Sequence, residues 1–246
     1  MSGLDFLKKQ DGVQETTADR VGGGSFTIDS GVYEGKIDKA YLVNSTSSKA
    51  VGVRIEATLT TGQKFRETIY VTNGEGKNTY VGKNDGKVAY LPGFELVSNI
   101  CAVTIGKELS DLTPEDKVVE IYNAELKRNA PTSVKMLMEL VGANLGLGIV
   151  KTKAFKQAKN AASGKYEDTA DIVEGNSLVN VFTIGGLTAL EIKAGITEPT
   201  FVNQFIEVYK ADYVKDTTKN AKTPAGVSNT PAAPAKSLFG GNASQA

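Results

Sequence analysis

Residues 132–166, TSVKMLMELVGANLGLGIVKTKAFKQAKNAASGKY, hold the chain's densest collection of groups able to bind an anion. Lys135, Lys151, Lys153, Lys156, Lys159 and Lys165 stand there against Glu139 alone, six positive charges to one negative, for a local net of +5. Phe155 and Tyr166 lie among them. Lysines that neutralise phosphates, interleaved with rings on which flat groups can stack, are the chemistry of a sequence-indifferent single-strand binder. Two further sets share that character. Lys64, Arg66, Thr68 and Tyr70 alternate along KFRETIYV, with Arg54 on the preceding run. Lys77, Tyr80, Lys83 and Lys87 dot the glycine-rich TNGEGKNTYVGKNDGK. The candidate binding residues are therefore Arg54, Lys64, Arg66, Tyr70, Lys77, Tyr80, Lys83, Lys87, Lys151, Lys153, Phe155, Lys156 and Lys159. For each set the plain alternative is a solvated, charge-rich surface.

Catalytic chemistry is poorly served. The chain has no histidine, which removes the commonest general base and transition-metal ligand. Its single cysteine, Cys101, sits in the apolar run VSNICAVTI and reads as a core residue without an activating neighbour. Neither GEGKN nor GKNDGK has the phosphate-loop spacing, and neither Asp85 nor the acids Glu167, Asp168, Asp171 and Glu174 follow a calcium-loop pattern. No enzyme activity, metal or cofactor is expected. The 28 basic and 28 acidic residues balance, which argues against a wholly basic DNA-coating protein but leaves room for a segregated groove. MSGLDFLKKQ lacks the apolar core of a signal peptide, and no run is long enough to span a bilayer. The expected setting is cytoplasmic, with no membrane partner.

The elements that must position these groups are mainly strands. GVYEGKIDKAYLV, VGVRIEATL and KFRETIYV alternate apolar and polar residues and predict an antiparallel meander, with Tyr33, Ile37, Tyr41 and Val43 on one face of the first strand. FELVSNICAVTIGKEL predicts a helix turning Leu96, Ile100, Val103 and Ile105 inward. Thr113-Pro114-Glu115 has the form of a helix start. The apolar run after it fits helix or strand. Val134, Met136, Met138 and Leu140, then Leu145, Leu147 and Ile149 after a turn at Gly142–Asn144, predict a hairpin. Its second strand opens into a lysine-rich loop and then an acidic loop, and Gly146 and Gly148 leave its opposite face bare for a backbone or a flat ring. Thr197 and Pro199 predict a last helix carrying Phe201, Phe205 and Val208. Residues 1–30 read as a flexible arm, 31–215 as the folded domain, and 216–246, rich in Ala, Pro, Ser and Thr, as a disordered tail.

Three strands, a helix and a strand pair follow the order of an OB-fold, a five-stranded antiparallel barrel. The expected class is mainly β with a few helices added to such a barrel. GVYEGKIDKAYLV, LVSNICAVTIGKEL and NAPTSVKMLMELVGANLGLGIVKTK resemble single-stranded DNA-binding proteins of tailed bacteriophages, over about residues 31–165. The resemblance implies sequence-independent coating of single-stranded DNA in phage replication or recombination, in the host cytoplasm, without catalysis. It also implies replication or recombination proteins as partners through the C-terminal tail, and a possible homo-oligomer. Two features depart from it. Residues 216–246 carry Lys219, Lys222 and Lys236 against Asp216, so the tail is not acidic, although Leu238 and Phe239 are available for docking. There is no tryptophan, so stacking falls to Tyr and Phe. The alternative reading is a non-catalytic virion or scaffold component that self-associates.

Overall fold

The computed structural model describes residues 27–82, 86–123, 126–160, 164 and 166–220. The meander forms as the alternation requires: β1 (Gly31–Asn44), β2 (Val51–Leu59) and β3 (Lys64–Tyr70) pair antiparallel. Val53, Ile55, Ala57 and Leu59 of β2 and Phe65 and Ile69 of β3 point into the core. In β1 the single expected face is split. A bulge between Ile37 and Lys39 inserts one residue, so Ile37 and Ala40 enter the main core while Tyr41 joins a second cluster with Val134 and Met136.

β4 (Thr79–Val81) and β5 (Val88–Tyr90) make a small separate ribbon. The helix α1 (Pro92–Ile105) then buries Val97, Ile100 and Cys101, with Leu96, Val103 and Ile105 partly covered. It stops at Gly106, whose φ of 66° is the left-handed conformation that glycine tolerates best. The helix anticipated at Thr113-Pro114 does not form. β6 (Glu115–Asn123) runs there instead, because Val118, Val119 and Ile121 favour an extended chain and β7 (Arg128–Met136) is beside it to pair.

The expected hairpin over residues 134–149 is also absent. β7 and β8 (Asn144–Lys159) do not pair with each other. Both lie against β1, β7 at Tyr41–Leu42 and β8 at Gly31–Lys36. The segment between them contains a short 3-10 turn, Met138–Leu140, and is tied to the bulge by Leu137 N donating to Ala40 O (2.8 Å) and Gly142 N to Ile37 O (2.8 Å). β8 does not dissolve into a loop after Ile149. It continues through the lysines and pairs with β9 (Tyr166–Phe182), so the stretch expected to be an acidic loop is a strand. Two short helices, α2 (Ala189–Lys193) and α3 (Phe201–Val208), and β10 (Val214–Asp216), parallel to β8, complete the fold. Gly148 does admit a flat ring: a Cβ there would stand 2.8 Å from Cζ of Phe205, which packs edge-on to Phe182.

The result is a mainly β protein built on an eight-stranded sheet. Its central path is β10-β8-β1-β2-β3, with β9 on β8 and the β6–β7 ribbon on β1. The sheet is not closed, since β3 and β9 share no ladder. The folded region is also wider than the strand pattern indicates. Ile28 and Ser30 are buried ahead of β1, and Thr218–Asn220 form a turn beyond β10. Residues 1–26 and 221–246, which hold the rest of the expected arm and tail, lie outside the described residues. No helix among the described residues is long and apolar enough to cross a membrane.

Candidate nucleic-acid interface

Because Phe65 and Ile69 face inward, Lys64, Arg66, Thr68 and Tyr70 face outward on β3. The register sets Thr58, Glu56, Arg54 and Gly52 of β2 opposite them in that order. Arg54 donates from Nη1 to Thr68 Oγ1 (3.2 Å) and lies 3.7 Å from Glu56, which also receives Lys39 at 3.5 Å. Lys64 is held by Asp38 (3.2 Å) and Thr58. Arg66 is exposed and has no ion-pair partner among the described residues. Tyr70 is 49% exposed, and its ring lies beside Gly52, where a Cβ would come within 3.5 Å of Cδ1. The start of α1 is pressed on the backbone of Tyr70: a Cβ at Gly93 would stand 2.2 Å from its carbonyl oxygen. Tyr70 is thus an exposed ring on a fixed backbone.

One side of this strip is bounded by the β6–β7 ribbon, whose Val119, Ile121, Val134 and Met136 pack around Tyr41 and Val43. Burial pushes the Tyr41 phenol above its usual value. The ribbon's own lysines add little field, since Lys117 pairs with Glu115 (2.9 Å) and Lys135 with Asp116 (2.8 Å).

On the other side is the seam between β3 and β9. It opens into a groove of about 750 Å³ lined by Thr27, Ile28, Lys64, Arg66, Glu174 and Asn176 among others. Lys64 and Arg66 therefore belong to both strip and groove. Beyond it a side chain replaces the missing ladder: Glu67 accepts from Leu178 N (2.7 Å) and Ser177 Oγ (3.1 Å). Burial raises the Glu67 carboxyl above the ordinary range, against the lowering effect of those two donors. A raised carboxyl pKa means the folded state holds its proton longer, so stability is lost as pH rises through the glutamate range. Glu67→Gln keeps an acceptor for Leu178 N without burying a charge. It is expected to be at least as stable as the parent at pH 8, whereas Glu67→Ala, leaving that N–H unpaired, loses ~2 kcal/mol. Urea denaturation of the two variants decides; equal losses would mean that Glu67 is not the link across the seam.

The lysine block looks different once folded. Lys151 lies 3.6 Å from Glu174 and Lys156 3.8 Å from Asp171, while Lys153 sits opposite Glu174 and Phe155 opposite Ile172. Counting residues 151–174, five lysines meet Glu167, Asp168, Asp171 and Glu174, for a net of +1. The charge set apart in the linear sequence is largely answered by the neighbouring strand. Lys151, Lys153 and Phe155 are half-buried and Lys156 is exposed; the Lys159 side chain and Lys165 lie outside the described residues.

The third set forms a separate unit at the Tyr70 end. Tyr80 on β4 is exposed, Lys87 precedes β5, and Tyr90 packs on Phe94 with ring centres 5.0 Å apart. Lys77 is paired with Glu75 (2.9 Å), and Lys83 and Asp85 lie outside the described residues. The loop is anchored to the β1–β2 turn by Lys49 N donating to Gly74 O (3.1 Å). The fold thus unites Arg54, Lys64, Arg66 and Tyr70, sets Lys151 and Lys153 beyond the groove through Glu174, and keeps Lys77, Tyr80 and Lys87 apart.

Sequence reasoning missed Tyr41, Glu67 and Asn176. Glu67 had a readable signal, since it shares the inward parity of Phe65 and Ile69. Cys101 is fully buried and its thiol is pushed up to about 12 by that burial, which leaves it inert. No known protein family matches the chain, and no curated protein matches it.

Proposed function

We propose that the protein binds single-stranded DNA without sequence preference, along the β2–β3 strip and the groove beside it, and acts in phage DNA replication or recombination. The observation that carries this reading is the pair on β3: an exposed tyrosine ring four residues along the strand from an exposed arginine that has no carboxylate partner among the described residues. A ring that stacks on any base and a cation that neutralises phosphate are the two parts such binding needs. The order of elements supports an OB-type barrel. β1, β2, β3, β8 and β9 follow the barrel path, α1 lies between β3 and β8 in sequence, and Glu67 bridges the last gap. Tail-mediated recruitment of replication or recombination proteins and a homo-oligomer remain parts of the proposal.

Fluorescence polarisation with labelled oligo-dT and a duplex of equal length, each at two salt concentrations, tests it. The expected result is preferential binding of the single strand, weakening as salt rises. Equal affinity for both would sink the reading.

A second reading has its own support. Leu190, Ile192, Phe201, Ile206 and Val208 of α2 and α3 are all at least 39% exposed, apolar surface of the kind that self-associating proteins bury. Sedimentation without DNA discriminates, because a large assembly would favour a structural or scaffold role.

A further inference from the structure

Gly52 is the one position on the outward face of β2 without a side chain; Arg54, Glu56 and Thr58 follow it on the same face. Its φ lies outside the left-handed region, so the backbone there suits any residue, and what the glycine keeps is space. Although it faces outward, Gly52 is buried. Tyr70 of β3 and Val43 of β1 lie directly opposite it on either side. Hydrogen bonds from Leu59 N to Gln63 O (2.9 Å) and from Val71 N to Val51 O (2.9 Å) put the bonded pairs of the β2–β3 ladder at odd-numbered residues. Gly52 and Tyr70 are therefore a non-bonded pair, the kind whose side chains approach most closely. A Cβ at Gly52 would stand 2.9 Å from Cγ2 of Thr68, 3.3 Å from the Ile69 carbonyl oxygen and 3.5 Å from Cδ1 of Tyr70. Only the last is an ordinary contact. Thr68 has no easy retreat. Its Oγ1 accepts from Arg54 Nη1 (3.2 Å), and a β-branched side chain is stiff at χ1, so turning the methyl aside also withdraws the hydroxyl from Arg54. Tyr70 cannot back away either, because Gly93 of α1 is packed against its carbonyl oxygen.

We propose that Gly52 is a positioning residue of the single-strand site: the room it leaves seats the Thr68 methyl and the edge of the Tyr70 ring, and so sets that ring in the attitude that stacks a base. The binding half rests on the DNA-binding reading; the seating half does not. Gly52 is covered and acts through Tyr70. A methyl added at Gly52 presses on Thr68 and on the Ile69 carbonyl, and the strand that yields carries the next residue with it. Packed against Gly93, Tyr70 takes up the displacement by tilting. A tilted ring keeps its exposed area but loses the parallel face that stacking requires.

Variants of the full chain test this, each first shown by urea denaturation to be folded. Gly52→Ala is expected to weaken oligo-dT binding by roughly three- to ten-fold, part of what a stacked ring supplies, and by a similar factor at low and high salt. Thr68→Ser removes the methyl that stands in the way and keeps the hydroxyl for Arg54. Combining it with Gly52→Ala is expected to restore the affinity of Thr68→Ser alone. In the Tyr70→Ala background, Gly52→Ala is expected to bring no further loss. Full affinity in Gly52→Ala, no rescue by Thr68→Ser, or a loss that persists without the tyrosine ring would each overturn the proposal. If Gly52→Ala alone does not fold, the double change decides: it should fold and bind as Thr68→Ser does, and an unfolded or weaker product overturns the proposal. A second readout needs no DNA. With isotope-labelled tyrosine, the NMR signal of the Tyr70 ring, identified by its absence in Tyr70→Phe, is expected to move in Gly52→Ala and to return when Thr68→Ser is added. An unmoved signal would overturn the seating. Oligo-dT failing to bind the parent would instead defeat the function proposed above and the binding half of this inference, while the ring signal would still decide the seating.

Discussion

Glu191→Ala is expected to cost ~3 kcal/mol of stability at pH 7, far more than a surface glutamate warrants. The carboxylate is 6% exposed and holds two elements together. Its Oε2 accepts from Thr188 N (2.9 Å) and Thr188 Oγ1 (3.1 Å), completing a reciprocal capping box at the start of α2. Its Oε1 accepts from Thr200 N (2.9 Å), Thr200 Oγ1 (2.8 Å) and Phe201 N (2.9 Å), which serves the donors at the start of α3. The backbone donors of Thr188, Phe201 and Thr200 hold this carboxyl down at about 2, below the ordinary 4.5. A lowered pKa means that the folded state binds fewer protons than the unfolded one between those values. The contribution is therefore complete above about pH 4.5 and is lost as pH falls toward about 2. Urea denaturation at pH 7 and pH 3 checks both parts. The parent should lose stability between them, Glu191→Ala should lose less, and Glu191→Gln should fall between parent and alanine at pH 7. A gap between parent and alanine that is as wide at pH 3 as at pH 7 would mean that the ionised carboxylate is not what fastens the helices. The site to watch is Phe205, which α3 carries into the Phe182 cluster.

Glu67 sits at the opposite sign of the same linkage, and the pair shows what a linear pattern can and cannot carry. Glu67 was legible, because a carboxylate at an inward strand position must be neutralised or bonded. Glu191 was not, since its donors at Thr200 and Phe201 come from a helix whose position only the folded chain sets. The meander was legible because one buried face enforces alternation over every residue of β2 and β3. The bulge in β1 escaped, as one inserted residue changes which face Tyr41 serves without disturbing the composition. Residues 134–149 were misread for a related reason. Two strands that share β1 as neighbour have the same parity pattern as two that pair with each other. The helix signature at Thr113-Pro114 is a local preference, and it lost to Val118, Val119 and Ile121 with a partner strand alongside. The lysine block misled most. The counter-charges of Lys151 and Lys156 lie at Glu174 and Asp171, on the far arm of a hairpin, where a window along the sequence treats them as a separate acidic stretch.

That correction moves the weight of the binding prediction onto β3. Tyr70→Ala is expected to weaken oligo-dT binding by ~1–3 kcal/mol, roughly five- to 150-fold, and by a similar factor at every salt concentration. Stacking does not displace counterions, so the salt slope should be unchanged, and Tyr70→Phe, which keeps the ring, should retain most of the affinity. Arg66→Ala should act differently. It removes one phosphate contact, so it should weaken binding most at low salt and flatten the slope of log affinity against log salt by about 0.7. Lys151→Ala should do little, because Glu174 already answers that charge. Both β3 side chains point outward and are exposed, so neither change should unfold the protein, and urea denaturation verifies that before the titrations are compared. The contrast among the three variants is the discriminating result. A lysine effect exceeding that of Tyr70 would place the nucleic acid on the β8–β9 ribbon. Equal, salt-parallel losses from Arg66 and Tyr70 would argue that neither touches it directly. Only a salt-independent loss at Tyr70 beside a salt-dependent loss at Arg66 matches a strand that stacks a base on one and lays its phosphate by the other.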